Sequence, residues 1–409
     1  MGYSIITAMH DWNRGPYQYR RSGLDRAADN VRSFWRRVSE GLAMQDLWGQ
    51  FKADARAGYA MYSKEVDWEL VPGEPHWKRH WRIARELFWA MVMKLSPARR
   101  VLLVLSLFLV LLGIFGTEIN VAEHTVVNIG GGEAVLGAIG LLLLLALELA
   151  DRVTMKRDLE IAKEIQHWLV PDTPPVIPGV EIAFASRAAN TVAGDYYDAF
   201  LRTPKSDGAA GATQGPDTQR LLVVVADVAG KSVPAALLMA TFQASLRTLA
   251  LEPTALLELV AGLNSYACEH SQSGRRFTTA FIAELDLATS TLTYVNAGHN
   301  EPMLLRAGGN LDRLGEGGLP LGIMQRAAYQ SGETVLAAGD RVVIFTDGVV
   351  EAEDSGANQF GEPRLLSGLQ LGRASPPAQA LHGLMTAIEA FVGHAPQHDD
   401  ITCLILDRK

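Results

Sequence analysis

Two stretches of the chain are apolar with no polar face: Val101 to Phe115, VLLVLSLFLVLLGIF, and Ala134 to Leu147, AVLGAIGLLLLLAL. A helix on the surface of a soluble domain keeps a polar stripe, and neither run has one. With their flanks each approaches the ~20 residues that cross a hydrocarbon core, so the pattern predicts a two-span hairpin over 97–150 rather than a pair of buried core helices. Lys94, Arg99 and Arg100 precede the first run, Arg152, Lys156 and Arg157 follow the second, and the stretch from Gly116 to Glu133 has no Lys or Arg. By the positive-inside rule the chain sits in the inner (cytoplasmic) membrane with both termini cytoplasmic. About a hundred residues precede the first run, which excludes a cleaved signal peptide. The connecting loop is too short to fold as a sensory domain.

The pattern changes after the second run. LELADRVTMKRDLEIAKEIQHWLVP reads as one helix continuing into the cytoplasm, with Met155, Leu159, Ala162, Gln166 and Leu169 on one stripe and Ile161, Ile165 and Trp168 widening it. Such a stripe serves a dimeric coiled coil or packing on the domain that follows, and its two heptads leave both open. Pro171, Pro174, Pro175 and Pro178 end this linker segment, 151–176. From 177 onward short β-like runs appear at Val180–Ala188, Leu221–Ala226, Phe277–Leu285, Thr291–Asn296, Arg341–Phe345 and Ile401–Leu406. Helical patterns appear at Pro234–Leu251, Thr254–His270 and Ala378–Val392. Neighbouring strands with helices between the clusters predict an α+β domain with antiparallel sheets. Thr203 to Gln219 reads as a low-complexity loop.

Charge divides the chain in the same places. The 409 residues carry a net charge of −8, distributed as +6 over residues 1–100, −4 over 101–150 and −10 over 151–409. Residues 1–96, rich in Trp, Arg and Tyr, read as a mostly helical cytoplasmic region lying along anionic lipid, with no catalytic motif. An acidic C-terminal part excludes a nucleic-acid partner, because phosphate contacts need clustered Lys and Arg. Two distant cysteines, Cys268 and Cys403, exclude a thiolate metal cage.

Four aspartates end apolar runs: Asp195 in VAGDYYD, Asp227 in LLVVVADVAGKS, Asp347 in VVIFTDG and Asp399 in QHDDITCLIL. A carboxylate at a strand end is held by a fixed backbone at the rim of a sheet, where a rigid metal ligand belongs. Any one of them is more simply a turn aspartate. Together, with no Cys/His set of zinc spacing, they point to hard divalent cations, Mn²⁺ or Mg²⁺, and a pair of such ions suits phosphoester hydrolysis. Gly194 and Gly348 beside them allow close backbone approach. Asp400 follows Asp399, and neighbours on a strand face opposite ways, so at most one faces the site, and Asp399 is expected to be that one.

From about Glu160 to the end, the chain resembles the SpoIIE-like branch of the metal-dependent PPM (protein phosphatase 2C-like) serine/threonine phosphatases. The resemblance runs in order through IQHWLVP, VAGDYYD, VADVAGKSVPAALLMA, RRFTTAFIAELD, YVNAGHNEPMLL, GLPLGI, GDRVVIFTDGVVEAE, FGEPRLL and DDITCLIL. It implies a central antiparallel β-sandwich flanked by helices over 177–409. It also implies two divalent cations, bridged by Asp227 and held further by the Val228 carbonyl, Asp347 and Asp399, with Asp195 at the second ion. Asp227 and Asp195 are then the catalytic pair. Ala193 and Ser232 stand where the family usually has glycine, which bears on loop geometry but removes no carboxylate. The implied activity is hydrolysis of phosphoserine or phosphothreonine on a cytoplasmic phosphoprotein, with a STAS-type anti-sigma-factor antagonist as the partner that the resemblance suggests. The competing class is a catalytically silent membrane scaffold that binds such a phosphoprotein.

Four other side chains are weaker candidates. His299 in NAGHN is a general acid or, more simply, a structural hydrogen-bonding residue. His394 and His398 read as loop residues, and Lys231 as a phosphate binder or a solvated loop lysine. No G-x-S-x-G elbow and no P-loop spacing is present, which removes Ser/His/Asp catalysis and a Walker-type nucleotide site.

Overall fold

The computed structural model describes residues 81, 82, 85, 86, 88, 89, 92–115, 118–121, 125–128, 132–203, 220–271 and 276–409. Most of the basic N-terminal region and nearly all of the loop expected at Thr203–Gln219 lie outside them. The chain divides into two compact units, Met1–Glu148 and Leu149–Lys409.

In the first unit, helix α1 (Pro97–Ile114) opens with proline in its first turn, where the missing N–H costs nothing. Strands β1 (Glu118–Val121) and β2 (Thr125–Asn128) form a small antiparallel pair, and helix α2 (Gly132–Leu169) begins after them. The two helices meet where side chains are small. A Cβ on Gly113 would strike Ala134, and one on Gly137 or Gly140 would strike Ser106, itself buried. Arg99 and Glu148 form an ion pair at 2.9 Å. Leu105, Phe108, Leu111, Leu136, Leu142 and Leu145 are all more than half exposed. Large apolar side chains left in this way have lost the burial that normally stabilises a soluble core helix. α2 continues unbroken for 38 residues, so no break separates the apolar run from the predicted linker helix.

The second unit has four layers. One sheet is ordered β10 (Gly317–Gly318), β7 (Thr291–Ala297), β6 (Thr278–Asp286), β5 (Arg220–Val228), β4 (Tyr196–Arg202), with β11 (Gly332–Val335) also on β7. The other is ordered β3 (Val180–Arg187), β13 (Ile401–Arg408), β12 (Arg341–Phe345), β8 (Met303–Leu305), β9 (Leu311–Arg313). Every pairing is antiparallel except the two-residue contact of β10 with β7. Alternation along the strands fills the space between the sheets: Leu221, Val223 and Val225 from β5 meet Leu404 and Leu406 from β13 and Val342 and Ile344 from β12. The intervening residues Leu222, Val224 and Ala226 face α3 (Val233–Leu249) and α4 (Leu256–His270). Val343, Phe345, Cys403 and Ile405 face α6 (Gly361–Leu371) and α7 (Pro377–Val392), and a one-turn helix α5 (Asp347–Val350) follows β12.

The α+β β-sandwich flanked by helices is as the sequence predicts. The six predicted strands and three predicted helices are present with ends shifted by up to a few residues. The pattern misses β4, whose YYDAFLR has polar residues in buried places, and also the short strands β8 to β11 and helix α6.

Candidate functional site

The register brings the four aspartates to one end of the sandwich. Tyr196 pairs with Ala226, so the start of β4 lies beside the end of β5, and Asp195 and Asp227 meet there. Phe345 pairs with Cys403, which sets the end of β12, and so Asp347, beside the start of β13 and Asp399. Asp227 lies one residue inside the end of β5 and Asp347 just beyond β12, whereas Asp195 and Asp399 precede their strands. The expectation that all four terminate strands is corrected to this extent. Antiparallel pairing puts strand starts and strand ends on the same rim, so the outcome is a single acidic cluster.

The two halves of the rim are tied together. Thr346 Oγ1 donates to Asp195 Oδ2 at 3.0 Å, bridging the sheets, and accepts from Thr402 N–H at 3.0 Å. Asp400 accepts from the backbone N–H of Ala189 at 2.7 Å and of Gly194 at 2.6 Å, which holds the VAGD loop against β13. Gly194 packs closely: a Cβ there would stand 3.2 Å from both the Val228 carbonyl and Ala235. At Gly348 a Cβ would overlap the Asp400 carbonyl at 1.9 Å, so only glycine fits behind Asp347. On the other side of the loop, the Gln166 amide of α2 pairs with Ala193. Its Oε1 accepts from Ala193 N–H at 2.9 Å, and its Nε2 donates to Ala193 C=O at 2.6 Å. A cleft of about 530 Å³ opens between this end of α2 and the loop, and Asp195 is among its lining residues.

The electrostatics are those of a crowded anionic cluster. Burial, and then the charge of Asp227, hold the Asp195 carboxyl well above the ordinary carboxylate range. Asp227 is pushed up to about 7, first by burial and then by the charges of Asp347, Asp399 and Asp400. Asp347 is raised by burial and by Asp399. Lys231 offsets part of this charge, with Nζ 3.0 Å from Asp399 Oδ2.

This donor set fits hard divalent cations, being all oxygen, partly desolvated and short of positive charge. Among the described residues no three His, Cys, Asp or Glu side chains yet close on one point. Asp400 has both oxygens engaged by backbone N–H groups, while Asp399 faces Lys231 and interacts with Asp347, which favours Asp399 as the ligand.

Other predicted candidates fall outside the cluster. His299 is buried, with Nδ1 2.9 Å from Thr279 Oγ1 and its own N–H donating to Asn296 Oδ1 at 2.7 Å. Burial pushes its ring down to about 4, so it is neutral. A buried imidazole held in this way has the structural role rather than that of a proton donor. His394 and His398 are exposed loop residues. Pattern reasoning about ligands missed Thr346 and Gln166, which carry no ligand chemistry of their own. Gln166 is marked in the sequence by the IQHWLVP motif and by its place on the helical stripe, neither of which names its partner.

The paired-sheet domain with this acidic rim has the fold of the protein phosphatase 2C class. It superimposes on the SiaA-PP2C domain of Pseudomonas aeruginosa with a TM-score of 0.54 at 19% identity, over 64% of this chain and 99% of that one. Residues 217–409 match the family described as Stage II sporulation protein E (SpoIIE), which supports a SpoIIE-like PPM phosphatase domain there. Two curated relatives are each 27% identical. Protein IcfG of Synechocystis sp. is matched over 65% of this chain and 43% of its own length, and phosphoserine phosphatase RsbU of Bacillus subtilis over 62% and 71%. The chain thus spans less than half of the first of these relatives.

Proposed function

We propose that the protein is a membrane-anchored, divalent-metal-dependent phosphatase that hydrolyses phosphoserine or phosphothreonine on a cytoplasmic regulatory protein, of the STAS-type anti-sigma-factor antagonist class. The observation that carries this reading is the convergence of Asp195, Asp227, Asp347 and Asp399 at one rim, with Asp227 raised to about 7 by burial and by its neighbouring carboxylates. Those carboxylates and the Val228 carbonyl would hold two Mn²⁺ or Mg²⁺ ions. When bound, such ions neutralise phosphate oxygens and acidify water. The chain's own part is to fix the ligands. Thr346 orients Asp195, Asp400 and Gln166 grip the loop before it from opposite sides, and the cleft beside Asp195 gives a phosphorylated segment room to enter.

α1 and the first part of α2 are each apolar enough to cross a membrane, with mean hydropathy 2.0 and 2.1, which supports anchoring by residues 97–150. Along 151–169 the helix has two faces. Leu159, Ala162, Gln166 and Leu169 are half-buried, while Ile161, Ile165 and Trp168 stay exposed and suit a second copy of the same helix. A homodimer through this linker would bring an input to the Gln166 contact. RsbU, named as a phosphoserine phosphatase, is consistent with the proposed chemistry.

The test uses the full-length protein purified from membranes with a phosphorylated STAS protein. Metal-dependent phosphate release that disappears in Asp227→Asn is expected. Stable binding of the phosphoprotein with no turnover under saturating Mn²⁺ would establish the silent scaffold instead.

A further inference from the structure

Lys231 sits on a loop whose backbone is shaped to project it. Gly230 has φ 124° and Ser232 has φ 63°, so the residues on both sides lie in the positive-φ region. From there the lysine Nζ reaches two oxygens, Asp399 Oδ2 at 3.0 Å and the His398 carbonyl at 2.5 Å. The lysine side chain is 55% exposed, with its tip over the acidic rim. Its charge also acts on Asp347 and Glu351. Carboxylate and carbonyl oxygens are the donors a hard divalent cation takes, and here an ammonium takes them.

We propose that Lys231 is an internal counter-ion that competes with a divalent cation for Asp399, so that occupation of this part of the centre requires the ammonium to leave. The proposal rests on Asp399 being a ligand of the centre described above. A single charge on a flexible four-carbon stem, half in solvent, holds the carboxylate weakly. A divalent ion at the same oxygens attracts them more strongly and repels the ammonium. The lysine therefore sets the metal concentration at which the site fills, and it prevents Asp399 and Asp347 from repelling each other unscreened when no ion is bound.

Free Mn²⁺ measured by electron paramagnetic resonance during titration of the full-length protein in detergent gives one test. Lys231→Gln should bind Mn²⁺ about two- to fivefold more tightly, the range that an exposed ion pair spans. Lys231→Arg, which keeps the charge, should stay close to wild type, and Asp399→Asn should weaken binding. If Asp399→Asn weakens binding while Lys231→Gln leaves it unchanged or weaker, the competition is wrong and the site stands. If Asp399→Asn changes nothing, the ligand assignment fails and the proposal falls with it. A second readout needs no variant. Acylation of the Lys231 amine in the wild-type protein, followed by peptide mass spectrometry, should be faster with saturating Mn²⁺ than with chelator; an equal or slower rate overturns the proposal.

Discussion

The side-chain amide of Gln166 and the peptide of Ala193 are joined by a reciprocal pair of hydrogen bonds, 2.9 Å from Ala193 N–H to Oε1 and 2.6 Å from Nε2 to the Ala193 carbonyl. The last turns of α2 thereby hold a loop that carries Asp195 two residues later. Gln166→Ala should leave both backbone groups unpaired in a half-buried place, a loss of about 1–3 kcal/mol. Gln166→Glu keeps the acceptor and loses the donor. We expect both to weaken Mn²⁺ affinity, Ala more than Glu, with the thermal midpoint of the Ala variant lowered by a few degrees. An unchanged Mn²⁺ isotherm for Gln166→Ala would show that the contact is incidental to the centre.

Asp399 and Asp400 should separate by phenotype. Asp400 binds two backbone N–H groups of the loop before β4, so Asp400→Ala leaves Ala189 and Gly194 without their acceptor and should lower stability by about 2 kcal/mol. Asp399 is part exposed, pairs with a flexible lysine and accepts from the Asp400 N–H at 3.0 Å, a bond that the oxygen of an asparagine can keep, so Asp399→Asn should leave stability almost unchanged and reduce metal binding. Thermal unfolding in chelator together with Mn²⁺ titration distinguishes them. The reverse assignment, with Asp399→Asn the destabilised protein, would exchange their roles.

How far the sequence carries one toward this site depends on what each residue does. The aspartates are legible because each interrupts an apolar run, and the motifs order them. That they share a rim is a matter of antiparallel register, which follows once β4 is placed beside β5. β4 itself escapes a hydrophobic pattern because its inward residues are polar. Asp198 is fully buried, bonded to Tyr196 Oη and to the Arg247 guanidinium of α3 at 2.8 Å, and Arg202 is buried against Glu284. Burial of paired charges looks, in one dimension, like exposure of single ones. The second face of α2 is similarly hidden, since Gln166 reads as one more stripe position until its partner is known.

Ser232 occupies a conformation that suits glycine. Its φ of 63° and ψ of −148° lie in a region costly for any residue with a Cβ, and its side chain makes no capping bond to α3. Such strain amounts to about 1–3 kcal/mol and persists only where the surroundings impose it. Ser232→Gly should relieve part of it, offset by the entropy of the freer residue in the unfolded chain, for a net gain of about 1 kcal/mol. A rise in the denaturation midpoint at constant m-value is the expected result. A fall would mean that the serine hydroxyl contributes more than the strained backbone costs.

His299 gives the protein an acid sensitivity of predictable sign. Burial lowers its folded-state pKa to about 4 from an ordinary 6.5, so between these values the unfolded chain binds a proton that the folded one refuses. Stability from this group is complete above about pH 6.5 and is lost as pH falls toward 4, to a total on the order of 3 kcal/mol. The neutral ring is held by Thr279, whose own backbone is in register with Asp227, so protonation would disturb the strand next to the central aspartate. The buried carboxyls of Asp195 and Asp227, raised rather than lowered, act in the opposite direction over the same range in metal-free protein. The measurement that isolates the histidine is therefore its own titration. In an NMR pH series the His299 ring should remain neutral to below pH 5. A His299 midpoint near 6.5 would place the ring in solvent and return it to the candidates for proton transfer.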